Sequence, residues 1–219
     1  MVELNLARWS KVWLSKGLPI LPVPGSPMID IHGVKGFLTP GDVAFLFNLA
    51  ASVPAKGNYL EIGSWLGLSS IIVANGLLAN VNLDARVWCV DTWEGSIEHQ
   101  TLDAVKNGGL YNTFCHNVEA AQMDHFIQPV RGQSTDVARQ WQGPPLDVIF
   151  VDGDHSAAGC YADIKAWRPT LAPNGRMLGH DATPGGGVRT ALGQYAAEEG
   201  VRFLLHEPPV AHYIWEMVA

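Results

Sequence analysis

From residue 57 onward, short apolar runs alternate with longer stretches whose apolar residues return at helical spacing. NYLEI, RVWCVD, FIQPVRG, LDVIFVD and GRMLGHD read as strands, while LSSIIVANGLLA, STDVARQW, AGCYADIKAWRPTL and VRTALGQYAAEEG read as helices. At the end, VRFLLHE and AHYIWEMV flank Pro208-Pro209 and can pair as a hairpin. Such alternation predicts an α/β chain with a mostly parallel sheet and helices on both faces, to which the hairpin adds an antiparallel strand. Upstream, Val2 to Lys16 spaces Leu4, Leu6, Trp9, Val12 and Trp13 as an amphipathic helix would. LPILPVPGSP then carries prolines that enforce an extended or turning path. Thr39-Pro40-Gly41-Asp42 reads as a helix start, with Thr39 as N-cap and Pro40 in the first turn, and this helix stops before Pro54. The division expected is an N-terminal extension over 1–56, serving as lid or dimer contact, and a ligand-binding domain over 57–219.

Composition narrows the classes. A chain of 219 residues, 47% of them hydrophobic, is long enough for one sizeable core. A net charge of −7, with no basic stripe, argues against nucleic acid as a partner. No apolar run reaches the roughly 20 residues of a membrane helix. The start, MVELNLARWSKVWL, is unlike a secretory signal, so a cytoplasmic protein is expected. Cys89, Cys115 and Cys160 are far apart and form no CxxC, as free thiols in a reducing compartment would be.

In open parallel sheets, ligands sit outside the carboxyl ends of the strands. The five predicted strands end there in Glu61, in Asp91, in Arg131-Gly132, in Asp152-Gly153-Asp154-His155 and in His180-Asp181. One acid in such a place often only caps the next helix; five polar ends on one rim ask for more than capping. In EIGSWLG, Gly63 and Gly67 let backbone approach a ligand, and the helix beyond offers unpaired N–H groups to a carboxylate or phosphate. The spacing is not the GxGxxG of dinucleotide folds. Asp91, at the end of the second strand, is placed to accept hydrogen bonds from ribose hydroxyls.

LEIGSWLGLSS, VDTWEGS, FVDGDHSAAGCYADIKAW with its Asp163, and GHD together resemble the class I S-adenosylmethionine-dependent methyltransferases. The resemblance is strongest to a small bacterial branch with a VDGDHSY-type motif, related to O-methyltransferases of macrolide sugars, and it runs from Gly57 to the C-terminus. It implies a Rossmann-like sheet of seven strands whose last strand is antiparallel. It implies that Glu61, Gly63, Ser64, Trp65 and Gly67 line the methionine end of S-adenosyl-L-methionine. Asp91, Thr92 and Trp93 would lie at the ribose, Gly132, Gln133 and Ser134 by the adenine, and Asp152 under the sulfonium.

Methyl transfer to a hydroxyl needs alignment and removal of a proton, by a base or by a metal that acidifies the alcohol. His155, three positions after Asp152, is the candidate base; the alternative is that it caps the following helix or packs beside Trp167. Asp152, His180 and Asp181 are candidate ligands for Mg²⁺ or Mn²⁺, although related metal-dependent enzymes carry an acidic pair or Asp-Asn where this chain has His180-Asp181. His180 could instead be a second base or a satisfied neighbour of the sheet. His32 and Lys35 are weaker candidates for touching the acceptor, and the polar segment Gly95 to Thr113 is expected to shape the rim. The expected activity is O-methylation of a small hydroxylated molecule, a sugar moiety or natural product, by a chain that forms a homodimer. Two rivals are a nicotinamide-dependent oxidoreductase on the same kind of sheet and a non-catalytic cofactor-binding protein.

Overall fold

Strand order turns this sequence into a site. In the computed structural model, which describes residues 29–31, 33–95, 109–208 and 210–218, a hairpin of β1 (Ile29–Ile31) and β2 (Val34–Gly36) comes first. A sheet of seven strands follows: β3 (Asn58–Ile62), β4 (Arg86–Asp91), β5 (Ile127–Arg131), β6 (Leu146–Val151), β7 (Leu171–Gly179), β8 (Arg202–His206) and β9 (Ile214–Val218). Their order is β5-β4-β3-β6-β7-β9-β8. All neighbours from β5 to β7 pair in parallel, and β9 runs antiparallel to both β7 and β8. The chain therefore leaves β3 toward β4 on one side and returns to β6 on the other, which opens a crevice at the carboxyl ends of β3 and β6.

The pleat explains the continuous apolar runs. Tyr59, Val87, Cys89, Val148 and Phe150 enter one buried cluster, and Leu60, Ile62, Val90, Ile149 and Val151 enter the other. Strands covered on both faces cannot alternate apolar with polar residues. Helices α1 (Pro40–Leu49), α2 (Leu68–Ala79) and α3 (Leu110–Ala120) cover the first face with Leu46, Ile72 and Phe114. Helices α4 (Ser134–Arg139), α5 (Ala157–Trp167) and α6 (Gly187–Glu199) cover the second with Val137, Ile164, Trp167 and Leu192.

Helix α1 starts as expected: Thr39 Oγ1 accepts from the Asp42 N–H at 3.3 Å, and Asp42 Oδ2 accepts from the Thr39 N–H at 2.7 Å. Other elements differ from the sequence reading. Helix α3 lies partly in the polar segment assigned to the rim; only Leu110, Phe114 and Val118 are buried on it, a stripe too thin to stand out. Strand β7 begins at Leu171, ahead of the expected start at Gly175. The irregular pairing between Leu146 and Val148 of β6 absorbs Pro173 and Gly175. Lys35 lies in β2. The Val2–Lys16 helix with Trp9 and Trp13, the proline tract, His32 and most of the Gly95–Thr113 segment fall outside the described residues. Among the described residues no helix is long and apolar enough to cross a membrane. The three cysteines are free.

Candidate active site

The turn after β3 is built by Gly63 and Gly67, both in the left-handed region at φ +88° and +89°. A Cβ on Gly63 would stand 2.1 Å from the Asp152 carbonyl oxygen, so the turn packs directly on the end of β6 only with glycine there. Gly67 is the N-cap of α2 and has no side chain to cap it. Below the turn, Glu61 is fully buried and accepts a hydrogen bond from the Ser70 hydroxyl. Burial pushes its carboxyl up to about 7, with the Ser69, Ser70 and Ser64 hydroxyls pulling the other way.

At the end of β4, each oxygen of Asp91 holds one backbone N–H: Trp65 donates to Oδ2 at 2.8 Å and Trp93 to Oδ1 at 2.7 Å. Both tryptophans are left-handed, at φ 43° and 52°, a conformation that costs a non-glycine residue about 1–3 kcal/mol and gathers at functional sites. The surroundings hold them there. Trp93 Nε1 donates to the Trp65 carbonyl at 2.9 Å, and the Trp93 ring packs on Tyr111 and Phe114, each with ring centres 4.9 Å away. Burial raises the Asp91 carboxyl above its ordinary value, although the N–H groups of Trp93, Trp65 and Thr92 favour its charge. A carboxylate can accept about four hydrogen bonds, so accepting capacity remains beyond these N–H groups. At the next strand end, the Gly132 N–H donates to the Asp91 carbonyl at 2.9 Å, and the Ser134 hydroxyl accepts from Trp167 Nε1 at 2.8 Å.

The ends of β6 and β7 bring together Asp152, His155, His180 and Asp181. Ser156, not His155, caps α5, accepting from the Gly159 N–H at 3.0 Å, and Trp167 packs edge-on against Trp141. His155 instead turns toward the carboxylates, its Nε2 3.2 Å from Asp181 Oδ2 and 3.7 Å from Asp152 Oδ1. His180 Nδ1 lies 3.3 Å from Asp181 Oδ2 and 3.8 Å from Asp152 Oδ1, and its Nε2 faces Asp42 Oδ2 at 3.5 Å. Burial works against charge on His180, but Asp152, Asp181 and Asp42 outweigh it and raise the imidazole well above its ordinary value.

The donor set fits a divalent ion. Ligand atoms of Asp152, His155 and Asp181 lie within 4.8 Å of one another, and His180 Nδ1 approaches the same two carboxylates. An imidazole with its second nitrogen on a carboxylate, as His180 has on Asp42, is the usual setting of a metal-bound histidine. An ion would compete with the proton that His180 otherwise holds. Carboxylates mixed with imidazoles suit Mn²⁺ better than Mg²⁺, which prefers oxygen alone.

A cavity of about 490 Å³ joins these parts, a size usual for small-molecule sites. Of the residues singled out in the sequence, Gly63, Ser64, Trp65, Asp91, Thr92, Gly132, Gln133, Ser134, Asp152, His155, His180 and Asp181 line it. Glu61, Gly67, Trp93 and Lys35 do not: the first three support the wall from behind, and Lys35 is exposed on β2. Sequence reasoning named Asp163 only as part of the family motif, without a place in the site, and missed Ser69 and the stretch Gly36-Phe37-Leu38, which like Asp163 reach the cavity, and Asp42, which reaches His180. Phe37 packs on Trp65 with ring centres 5.2 Å apart. Asp42 carried a signal, the capping box, but that signal accounts for only one of its roles.

Solved structures with the same fold include cofactor-bound Rv0187 from MTB, 17% identical, covering 97% of this chain and 88% of that chain with a TM-score of 0.63. An O-methyltransferase from Bacillus cereus in complex with SAH is 21% identical over 98% of this chain and 90% of its own, with a TM-score of 0.57. The O-methyltransferase TomG from Streptomyces achromogenes, involved in tomaymycin synthesis and bound to SAM, is 15% identical over 97% and 87%, with a TM-score of 0.59. At these identities the likeness is one of fold. The family model described as Methyltransferase domain matches residues 60–182, from the body of β3 to just past Asp181, more than half of the chain. The Gly63 turn, Asp91 and the Asp152–His155 corner all fall inside that match, and this chain belongs to the Methyltransferase domain family.

Proposed function

We propose that this methyltransferase uses S-adenosyl-L-methionine to methylate a hydroxyl of a small molecule, a sugar moiety or another natural product. The observation that carries the reading is the Asp91 clamp, a carboxylate held by the Trp65 and Trp93 N–H groups at the cavity wall, one strand away from the Gly63 turn. Its remaining lone pairs suit a pair of ribose hydroxyls. The glycine turn with Ser64 and Ser69 forms the methionine end of the cavity, and Gly132, Gln133 and Ser134 form the adenine end. The Bacillus cereus and Streptomyces achromogenes proteins are both O-methyltransferases, which supports oxygen as the acceptor.

S-adenosylmethionine, when bound, supplies a methyl group made electrophilic by its sulfonium. The chain's own part is to orient the acceptor and take its proton. His155 lines the cavity with its Nε2 buried between Asp152 and Asp181, whose negative charge steadies the imidazolium that proton transfer creates. Asp152, His180 and Asp181 are also the residues that would hold a divalent ion, Mn²⁺ in preference to Mg²⁺; it would acidify a bound hydroxyl, and His155, were it to join the ligands, would give up its role as base.

Thermal melting with S-adenosylhomocysteine and with NAD tests the cofactor: a rise with the former alone is expected, and a rise with NAD alone overturns the reading. Transfer of a labelled methyl to a library of glycosides and phenols, repeated after exhaustive chelation, tests acceptor and metal. Full activity in the chelated protein removes the ion from the proposal.

A further inference from the structure

Asp163 has no place in the chemistry above, yet it is a buried acid on the wall of the same cavity. It projects from the middle of α5 with 4% of its surface exposed, and that surface faces the cavity. A mid-helix acid has no cap to form, because the N–H groups around it are already taken by the helix. The charged or polar groups acting on it are the Ser134 hydroxyl, which favours its ionised form, and Asp154, which opposes it; no cation is among them. Ser134 Oγ already accepts from Trp167 Nε1 at 2.8 Å, so its own proton is directed to Asp163. The relay Trp167 to Ser134 to Asp163 fixes the carboxyl but gives it one donor, whereas a carboxylate can accept about four. Leaving a buried acceptor short of partners is costly, so the carboxyl is set to gain from a donor brought by a ligand. Burial also pushes it up to about 6, and such a donor would draw it back down.

The neighbours say which part of the ligand that is. Ser134 opens α4 beside Gly132 and Gln133, at the end of the cavity away from His155 and Asp181. Gly153 keeps the approach open: a Cβ there would meet Ile62 Cγ2 at 3.1 Å and Asp163 Oδ2 at 3.4 Å. We propose that Asp163 selects the base of the cofactor, its carboxylate accepting a hydrogen bond from the exocyclic amino group of adenine. The assignment rests on the cofactor reading above. An adenine amino group presents a donor to Asp163, and the 6-oxo group of hypoxanthine presents an acceptor at the same place. A site built around such a bond rejects the analogue that lacks the donor.

Calorimetric titration with S-adenosylhomocysteine and with S-inosylhomocysteine, its 6-oxo counterpart, tests this without any methyl acceptor. The wild-type chain is expected to bind the adenine compound at least about tenfold more tightly, the mark of one discriminating hydrogen bond. Asp163→Asn, whose amide can accept or donate, is expected to bind the adenine compound more weakly and to bring the two affinities close together. Ser134→Ala, which frees the carboxyl to turn, is expected to narrow the same ratio, and it provides the readout if Asp163→Asn does not fold. Equal wild-type affinity for the two compounds, or an unchanged ratio in the variants, overturns the role of Asp163 and leaves the cofactor reading standing. Uptake of neither compound by the wild-type chain overturns both.

Discussion

Asp42 of the N-terminal helix and His180 at the end of β7 meet inside the protein, Asp42 Oδ2 3.5 Å from His180 Nε2, with 0% and 4% of the two side chains exposed. The same Asp42 carboxylate accepts the His212 N–H at 2.6 Å and the Thr39 N–H at 2.7 Å. One acid outside the matched family region thus ties the start of α1, the β8–β9 connection and a histidine of the site into one unit. Through His180, the segment before the family domain reaches the carboxylates at the cavity.

That tie has a pH signature. Burial works to raise the Asp42 carboxyl, but His180 and the His212 and Thr39 N–H groups outweigh it, so it lies below its ordinary value. A depressed acid stabilises the fold above its unfolded value, about 4, and loses this as pH falls. His180 is raised, so its stabilisation is complete below its unfolded value, about 6.5, and is lost as pH rises through the folded one. In melting curves with chelator present, stability should be highest between these limits and decline on the alkaline side. Asp42→Asn should lose about 1–3 kcal/mol in that window and flatten the alkaline decline; superimposable curves for the two proteins would refute the pairing.

Glu61 has the opposite relation to its own charge. Burial raises its folded value to about 7, so folding favours the protonated acid, and the stability it gives is lost as pH rises from about 4.3 through 7. Glu61→Gln keeps a partner for Ser70 and has no proton to lose. Its melting temperature should change less than that of the wild type between pH 5 and 8, as about one proton's worth of linkage disappears. An equal slope in both proteins would mean that Glu61 ionises freely.

Gly63→Ala puts a methyl where the Asp152 carbonyl stands, at a backbone angle that side chains rarely adopt. The variant should lose more than about 1 kcal/mol of stability and most of its affinity for S-adenosylhomocysteine, because the turn and Asp152 move together. Denaturant melts and calorimetry measure the two effects. Wild-type affinity in a folded Gly63→Ala protein would place the ligand elsewhere.

His155→Gln removes the proton acceptor and leaves the far end of the cavity intact. Methyl transfer to whichever acceptor the library yields should fall by about 10² to 10⁴, the range for a positioned base, with S-adenosylhomocysteine affinity near wild type. Near-full turnover in the variant would assign proton removal to another group.

Much of the frame was legible along the chain because it is written in short periods. Apolar runs doubly covered by helices, the Thr39-Pro40 start of α1, the glycine turn and the acids closing β4 and β6 each announce themselves within a few residues. The thin stripe of α3 and the bulged start of β7 did not, since each depends on what packs against it. Glu61 shows where local reading stops. The parity of β3 sends Leu60 and Ile62 to one face and Tyr59 and Glu61 to the other, so Glu61 points under α2 although it adjoins the turn.

By itself the sequence determined an α/β sheet, its polar strand ends and a family resemblance, for these follow from periodicity, turn chemistry and local motifs. Tertiary structure alone decided that Asp42 would reach His180, that Asp163 would face the cavity from the middle of a helix, and that Trp65 and Trp93 would bend into left-handed backbone around Asp91. Parallel strands place residues distant in the chain side by side, and their contacts depend on strand order and pleat, which no local window contains.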